Sequence, residues 1–599
     1  MKKIRYATIL VIGVLLFTAC EKFLEKTPDA TVSDKDIFGT YTSFQGFVDP
    51  NYGEVINYNT MYSTTTMDCG GETINNFITW SPAYTCWTGN YWYLSGQDDY
   101  SYNDMTSLFA NAKYGYGIYY NVSGGIWTGG WRGIRRCNVA LQNLKLLTEA
   151  TDEERKLIEG QIYFFRAYFH HQIIDAFGGM AYIDTVFAPS DEMKLPRLTY
   201  QGTAEKIVKD YDRAIALLPV DWDQTVIGGQ RPGANTGRAT KGAAMAYKAK
   251  LLLYAGSPLM NKYSGNDYIY NVEYCKRAAT AGWEMIQLAN AGTYSLVPWS
   301  NYSDNFYKND GTMPWTKETI WQRVSRTSGS TDNEFINRQM SFSRMGGRYG
   351  EQVNQLFVDK FEMADGTRYQ VSYDGDNAKR WNLRDPRFRK NIIVDRDQHG
   401  MDSRSIIYLF AGAGTPATDK GTAQQISLPY LMKKYWPVGA NGFDKLYTQL
   451  RIINPLMRLA EVYLDYAEAV TAAYGPTGMA PGANLTAVDA LNKVRVRAGM
   501  PPATAAATGY ANFMDLVRNE RTVEFCFEGH YWYDIRRWYI AHLPENLQCV
   551  DLIFDKSWTT FNRSVFKTKV FENPKHYWLP INRNQTLLFP GMYQNPGWQ

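Results

Sequence analysis

The stretch DEERKLIEGQIYFFRAYFHHQIIDAF (152–177) constrains the fold most, because apolar residues fall at 158, 162, 165, 169 and 173 and the run stops at Gly178-Gly179. That spacing keeps one face apolar over about seven helical turns, and such a face must be covered by another element. The covering elements stand beside it in the sequence. Residues 134–147 (IRRCNVALQNLKLL) read as a helix just before it, 203–218 and 240–255 as a second pair, and 271–290 as a further helix. Helices over 456–474, 484–498 and 512–526 follow much later, with Ala460, Ala467 and Ala469 allowing close backbone approach. Paired antiparallel helices with small contact residues predict a mainly α chain, a TPR-like superhelix of helical pairs, although the strict repeat signature is absent.

Long stretches dense in Gly, Asn, Asp and Tyr separate these helices. The chain is therefore read as a helical scaffold over about 134–290 and 456–540, supporting loop-rich binding parts over about 48–130 and 295–450. The aromatic content is high, with 44 Tyr, 17 Trp and 28 Phe, so where the rings fall matters more than their total. Between Trp80 and Trp131 they alternate with Gly, Ser, Asn and Asp without a sustained period of 2 or 3.6, unlike the rings of a core helix or strand. Flat apolar faces on loops suit stacking against ring-shaped ligands. The candidate ligand-binding residues are Trp80, Trp87, Tyr91, Trp92, Tyr100 and Asn103, with Trp299 and Trp321 from the later loops.

The first residues carry a different signal. Lys2, Lys3 and Arg5 precede a 12-residue apolar run, Ala7 to Thr18, which is too short to span a bilayer but suits a secretory leader. Cys20 follows the small pair Thr18-Ala19, an arrangement that resembles the lipobox of bacterial lipoproteins. Residues 1–19 are thus expected to be a lipoprotein signal peptide, with Cys20 the acylated first residue of the mature chain. Basic and acidic residues nearly balance, at 63 and 59, so nothing in the charge favours nucleic acid. Cys69 and Cys86 lie close together in a Gly-rich segment where a bridge can form, and the cysteines at 137, 275, 526 and 549 read as small core residues.

Several motifs occur in an order that resembles the SusD/RagB family, the starch-utilisation-system D-like lipoproteins of Bacteroidetes. They are GQIYFFRAYFHHQIIDAFGGMAYID (160–184), GRATKGAAMAYKAKLLLYAGSPLMN (237–261), LFVDKFEMADG (356–366), LRDPRF (383–388), MRLAEVYLDYAEAV (457–470) and LNKVRVRAGMP (491–501). RNERTVEFCFEGHYWYDIRRW (518–538) and WLPINRNQTLLFPGMYQNPGW (578–598) complete the order, and CEKFLEKTP (20–28) is similar to the family's mature start. The resemblance implies a lipid-anchored protein at the cell surface that captures a glycan and delivers it to a SusC-like TonB-dependent outer-membrane transporter. It also implies four TPR-like pairs beneath an irregular binding subdomain, and it places Trp127 and Trp131 among family core aromatics. Few residues match over 70–126, where the ligand site is expected.

Two other functions are weighed against glycan capture. A RagB-like relative would serve peptides, which aromatic loops also suit, whereas the Trp density favours sugars. A surface glycoside hydrolase would need two carboxyls facing each other across a sugar, about 5–9.5 Å apart in an open cleft. Glu524 and Glu528 share one helix face and are interleaved with Arg521, Arg536 and Arg537, which reads as a structural ion-pair network. No HExxH, GxSxG, Walker or GxGxxG motif occurs, so no enzyme, metal or cofactor is expected. DGDNAKRWN (374–382) reads as a solvated turn, and YQNPGW at the C-terminus as a turn docked on the scaffold.

Overall fold

The computed structural model describes residues 33–56, 71–74, 86–92, 126–188, 190–192, 194–324, 345–346, 351–412, 418–421, 426–444, 446–447, 449–587 and 591–598. Its principal helices are α1 (Tyr41–Val48), α2 (Pro50–Glu54), α3 (Ile126–Asn143), α4 (Asp152–Phe177), α5 (Tyr200–Leu217) and α6 (Lys241–Gly256). They continue with α7 (Val272–Asn290), α8 (Leu459–Tyr474), α9 (Ala487–Arg497), α10 (Phe513–Glu524) and α11 (His530–Arg537).

α4 occupies the span its periodicity predicts. A capping box sets its start, with the Thr151 hydroxyl accepting the Glu154 N–H at 3.2 Å and the Glu154 carboxylate accepting the Thr151 N–H at 2.8 Å. Gly178, at φ 80°, ends it. From α3 to α8 each helix packs on the next, and α8 in turn carries α9 and α10. Neighbours in sequence are neighbours in space, which is the arrangement of a helical-pair solenoid. The chain leaves this array after α7 and returns at α8, where Trp283 meets Tyr466 with ring centroids 6.4 Å apart.

The first helix of the array begins at Ile126 rather than Ile134, and it includes Gly129, Gly130 and Gly133. At Gly133 a Cβ would stand 2.2 Å from the Phe169 ring, so glycine is what lets α3 approach α4 this closely. In the sequence these glycines look like loop composition.

Between α7 and α8 the chain builds small antiparallel elements, one of which also takes in a strand from ahead of α3. Residues 73–74, 352–353, 431–432 and 392–393 form a sheet in that order, made of two-residue strands. Thr319–Trp321 pairs with Met457–Arg458 directly ahead of α8, which ties the excursion to the scaffold. After α11, Gln548–Phe554 and Phe561–Thr568 form a hairpin that the sequence reading did not anticipate.

The charge cluster around α10 and α11 is internal. Glu524 and Glu528 are buried and bound by Arg387, Arg458, Arg497 and Lys434, and the cavity that Glu528 borders measures only about 20 Å³, room for about one water. In the 374–382 turn, the Asp374 carboxylate accepts from the Tyr369 hydroxyl at 2.8 Å and from Arg563, while Asp376 caps the Ala378 N–H at 2.9 Å. The C-terminal turn docks as expected. Asn595 accepts from Arg197 at 2.6 Å and donates to the Phe177 carbonyl at 2.9 Å, and Trp598 is buried. Cys86, Cys137, Cys275, Cys526 and Cys549 are buried, whereas Cys20 and Cys69 lie outside the described residues. Among the described residues no helix is long and apolar enough to cross a membrane.

Candidate ligand-binding site

Five of the eight residues chosen from the sequence are described, and of these Trp321 alone borders the cleft described below. Trp80, Tyr100 and Asn103 lie outside the described residues. Trp87 is 1% exposed, enclosed with Leu428 and Cys549, and the Lys569 ammonium lies 5.0 Å from its ring centroid. Tyr91 is fully buried, its hydroxyl accepting from Arg536 at 2.6 Å. Trp321 is also fully buried, packed edge-on against Phe164 at 4.9 Å and Tyr168 at 5.0 Å. Rings without accessible faces cannot stack on a ligand, so the expectation of exposed rings is corrected for Trp87, Tyr91 and Trp321. Their neighbours look like loop in sequence because they sit under short irregular elements, and all three residues of the Thr319–Trp321 strand are buried, which erases any alternation. Trp92 and Trp299 are half-buried, Trp92 edge-on to Trp598 at 5.6 Å and Trp299 tilted on Tyr302 at 4.9 Å.

Trp321 nonetheless stands beside an opening in the fold. Its indole N–H donates to the Gly237 carbonyl at 3.1 Å, and the two residues border a cleft of about 350 Å³. That volume lies within the range of small-ligand clefts, about 300–1,000 Å³. Three segments meet there: the α1–α2 region (Asp49, Tyr52), the 233–238 loop and residues 321–324. Gly237 has φ 86° and a Cβ there would stand 2.2 Å from Val324, so only glycine lets the loop close against that segment.

The polar groups of the cleft are held by contacts behind it. Tyr52 donates its hydroxyl to Gln161 at 2.9 Å and accepts the Ala239 N–H at 3.0 Å, and its ring packs on Phe165 at 4.6 Å. Burial pushes its phenol well above the usual range, so it stays protonated. Arg238 lies 5.1 Å from the Trp222 ring centroid and 5.9 Å from that of Tyr52, with Nη1 donating to Gln161 at 3.2 Å and Asp49 at 3.3 Å. Arg323 donates to the Val55 carbonyl at 2.9 Å, and burial holds its guanidinium below the usual arginine range. Gln322 is buried, its amide N–H donating to the Pro314 carbonyl while its Oε1 has no partner among the described residues. A half-buried ring, two guanidinium groups and an amide suit a polyhydroxylated ligand, with C–H faces against the ring and hydroxyls on the polar groups. A second cleft of about 300 Å³ runs along Trp127, Trp131, Ile183 and Phe187 and is far more apolar. Trp131, assigned to the core from the sequence, is half-buried there.

Residues 317–598 match a family model described as SusD family, and residues 22–253 match one described as starch-binding associating with outer membrane. The chain belongs to the SusD family. Solved structures of SusD-like proteins share its fold. A SusD-like protein from Bacteroides fragilis is 21% identical, covering 94% of this chain and 99% of its own, with a TM-score of 0.68. A SusD-like carbohydrate binding protein from the same species is 18% identical, covering 93% of this chain and all of its own, with a TM-score of 0.66. Surface glycan-binding protein A from Bacteroides fluxus, at 18% identity and the same coverage, has a TM-score of 0.58. No curated protein matches the chain. The TPR-like helical array of α3–α10 is the SusD-like fold.

Proposed function

We propose that this SusD-family chain captures an oligo- or polysaccharide at the cell surface and delivers it to a SusC-like TonB-dependent outer-membrane transporter. The observation that carries the reading is the cleft where Tyr52, Arg238, Gln322 and Arg323 converge. The family descriptions and the carbohydrate-binding relatives support sugar as the ligand. A role without catalysis is supported by the burial of Glu524 and Glu528, each bound by cationic side chains. Each new hydrogen bond to a sugar replaces one to water and nets about 1 kcal/mol, so the site releases its cargo readily. Affinity electrophoresis against a polysaccharide panel tests the reading. At least one polymer should retard the protein with no new reducing ends appearing, and new reducing ends would make it a hydrolase.

Attachment rests on Cys20 in the same reading, since several acyl chains hold where one does not. Cys20→Ala should abolish acylation and release the protein from the membrane fraction. A variant that still incorporates palmitate and sediments with outer membranes would remove the lipoprotein part of the proposal.

A further inference from the structure

We infer that the fold binds a single internal water where α4, α6 and the start of α11 meet, held by Gln172, Asp175, Lys250 and His530. These four side chains border the cavity of about 20 Å³ that Glu528 also lines. A water needs about 10–15 Å³ and two to four polar partners, so the cavity admits one water and nothing much larger. The turn above it needs support. Between α10 and α11, Phe527 and Gly529 both take the left-handed region, at φ 61° and 86°. A non-glycine residue keeps that conformation only where its surroundings hold it. A water on His530 would tie this turn to α4 and α6.

Each of the four has bonding capacity to spare. The Lys250 ammonium carries three donors and meets one acceptor, Glu461 Oε1 at 2.9 Å. His530 Nδ1 stands 3.3 Å from Arg521 Nη2, which can only donate. Glu461 Oε1, 3.5 Å from the same nitrogen, is already engaged by Lys250 and by Arg521 at 3.3 Å. Burial, with Lys250 and Arg521 nearby, holds the His530 ring well below the usual imidazole range. A neutral ring whose Nδ1 accepts carries its proton on Nε2, and that donor has no partner among the described residues. Asp175 Oδ1 accepts from the Tyr200 hydroxyl at 2.6 Å, while its Oδ2 has only His171 Nε2, at 3.4 Å. Gln172, half-buried and three residues before Asp175, lies on the same side of α4. Lys250 and His530 thus supply two donors, and Asp175 Oδ2 and the Gln172 carbonyl supply two acceptors. A water accepts twice and donates twice, so it completes all four. Chloride would suit the donors but not the buried carboxyl, and a metal cation would be repelled by the ammonium.

A high-resolution crystal structure of the full-length protein, recorded with long-wavelength anomalous data, tests this. One peak without anomalous signal should lie within hydrogen-bond distance, about 2.7–3.2 Å, of Lys250 Nζ and His530 Nε2. Direct bonds among the four side chains with no peak between them would overturn the inference. An anomalous peak would overturn it too, by making the occupant a chloride. Water relaxation dispersion checks the same point in solution. Gln172→Met removes the amide and carries more bulk into the cavity, so it should show one long-lived internal water fewer than the parent at an unchanged melting temperature. The same number of long-lived waters in both proteins would contradict the assignment.

Discussion

Arg458→Ala is expected to cost about 3–5 kcal/mol of stability, the range for removing one partner from a buried ion pair. Arg458 is 1% exposed. It donates to Glu318 at 2.8 Å, to Glu524 at 2.8 Å and to Glu528 at 2.9 and 2.8 Å. Glu318 belongs to the segment between α7 and α8, Glu524 ends α10 and Glu528 stands just before α11, so one guanidinium joins the excursion to the scaffold. Arg497 and Lys434 would remain on these carboxylates but cannot fill the vacated position. The network also sets an acid limit. Burial alone would raise the Glu468 and Glu524 carboxyls, but Arg537 beside the first, and Arg497, Arg458 and Arg387 around the second, hold each at about 2. Both lie below the ordinary value of 4.5, so their stabilisation is fully present above that pH and is lost as pH falls towards 2. Urea denaturation of Arg458→Ala at neutral pH is the check. A loss below about 1 kcal/mol would show that the network is not what joins these parts.

Trp321→Ala should cost a similar amount, about 3–5 kcal/mol, as expected when a large aromatic is truncated in a packed core. Its ring meets Phe164, Tyr168 and Tyr247 edge-on, so truncation opens a cavity among α4 and α6 residues that cannot close in from both sides. Trp299→Ala should cost no more than about 1 kcal/mol, because its ring is half-buried at the edge of the fold. Thermal melts of the two variants beside a sugar titration separate the roles. If Trp321→Ala melts like the parent and loses only ligand binding, the ring is a binding surface and its burial has been misread.

The helices were legible because their signals are local. α4 carries its period, its capping box and its terminal glycine within one stretch. α3 was cut short because Gly129, Gly130 and Gly133 look like loop until Phe169 of α4 is seen against Gly133. α11 was hidden in a run of charges that the sequence showed to be an ion-pair network but not where it bent. The Gln548–Phe554 strand has both faces largely covered and shows no alternation. The cleft was the least legible part. Tyr52, Arg238 and Arg323 come from three distant segments, and nothing local marks any of them as a ligand group. Trp321 was chosen as an exposed stacking ring, and the structure instead buries it beside the proposed cleft.

The most direct measurement compares the intact protein with an Ala234→Trp variant on whichever polysaccharide retards the parent. Ala234 is exposed on the 233–238 loop and lines the cleft, so an indole there obstructs the cleft without disturbing the core. The substitution should lower affinity about tenfold or more, at least about 1.4 kcal/mol, while the melting behaviour stays that of the parent. Undiminished binding by the obstructed variant would mean that the glycan is held elsewhere on the protein.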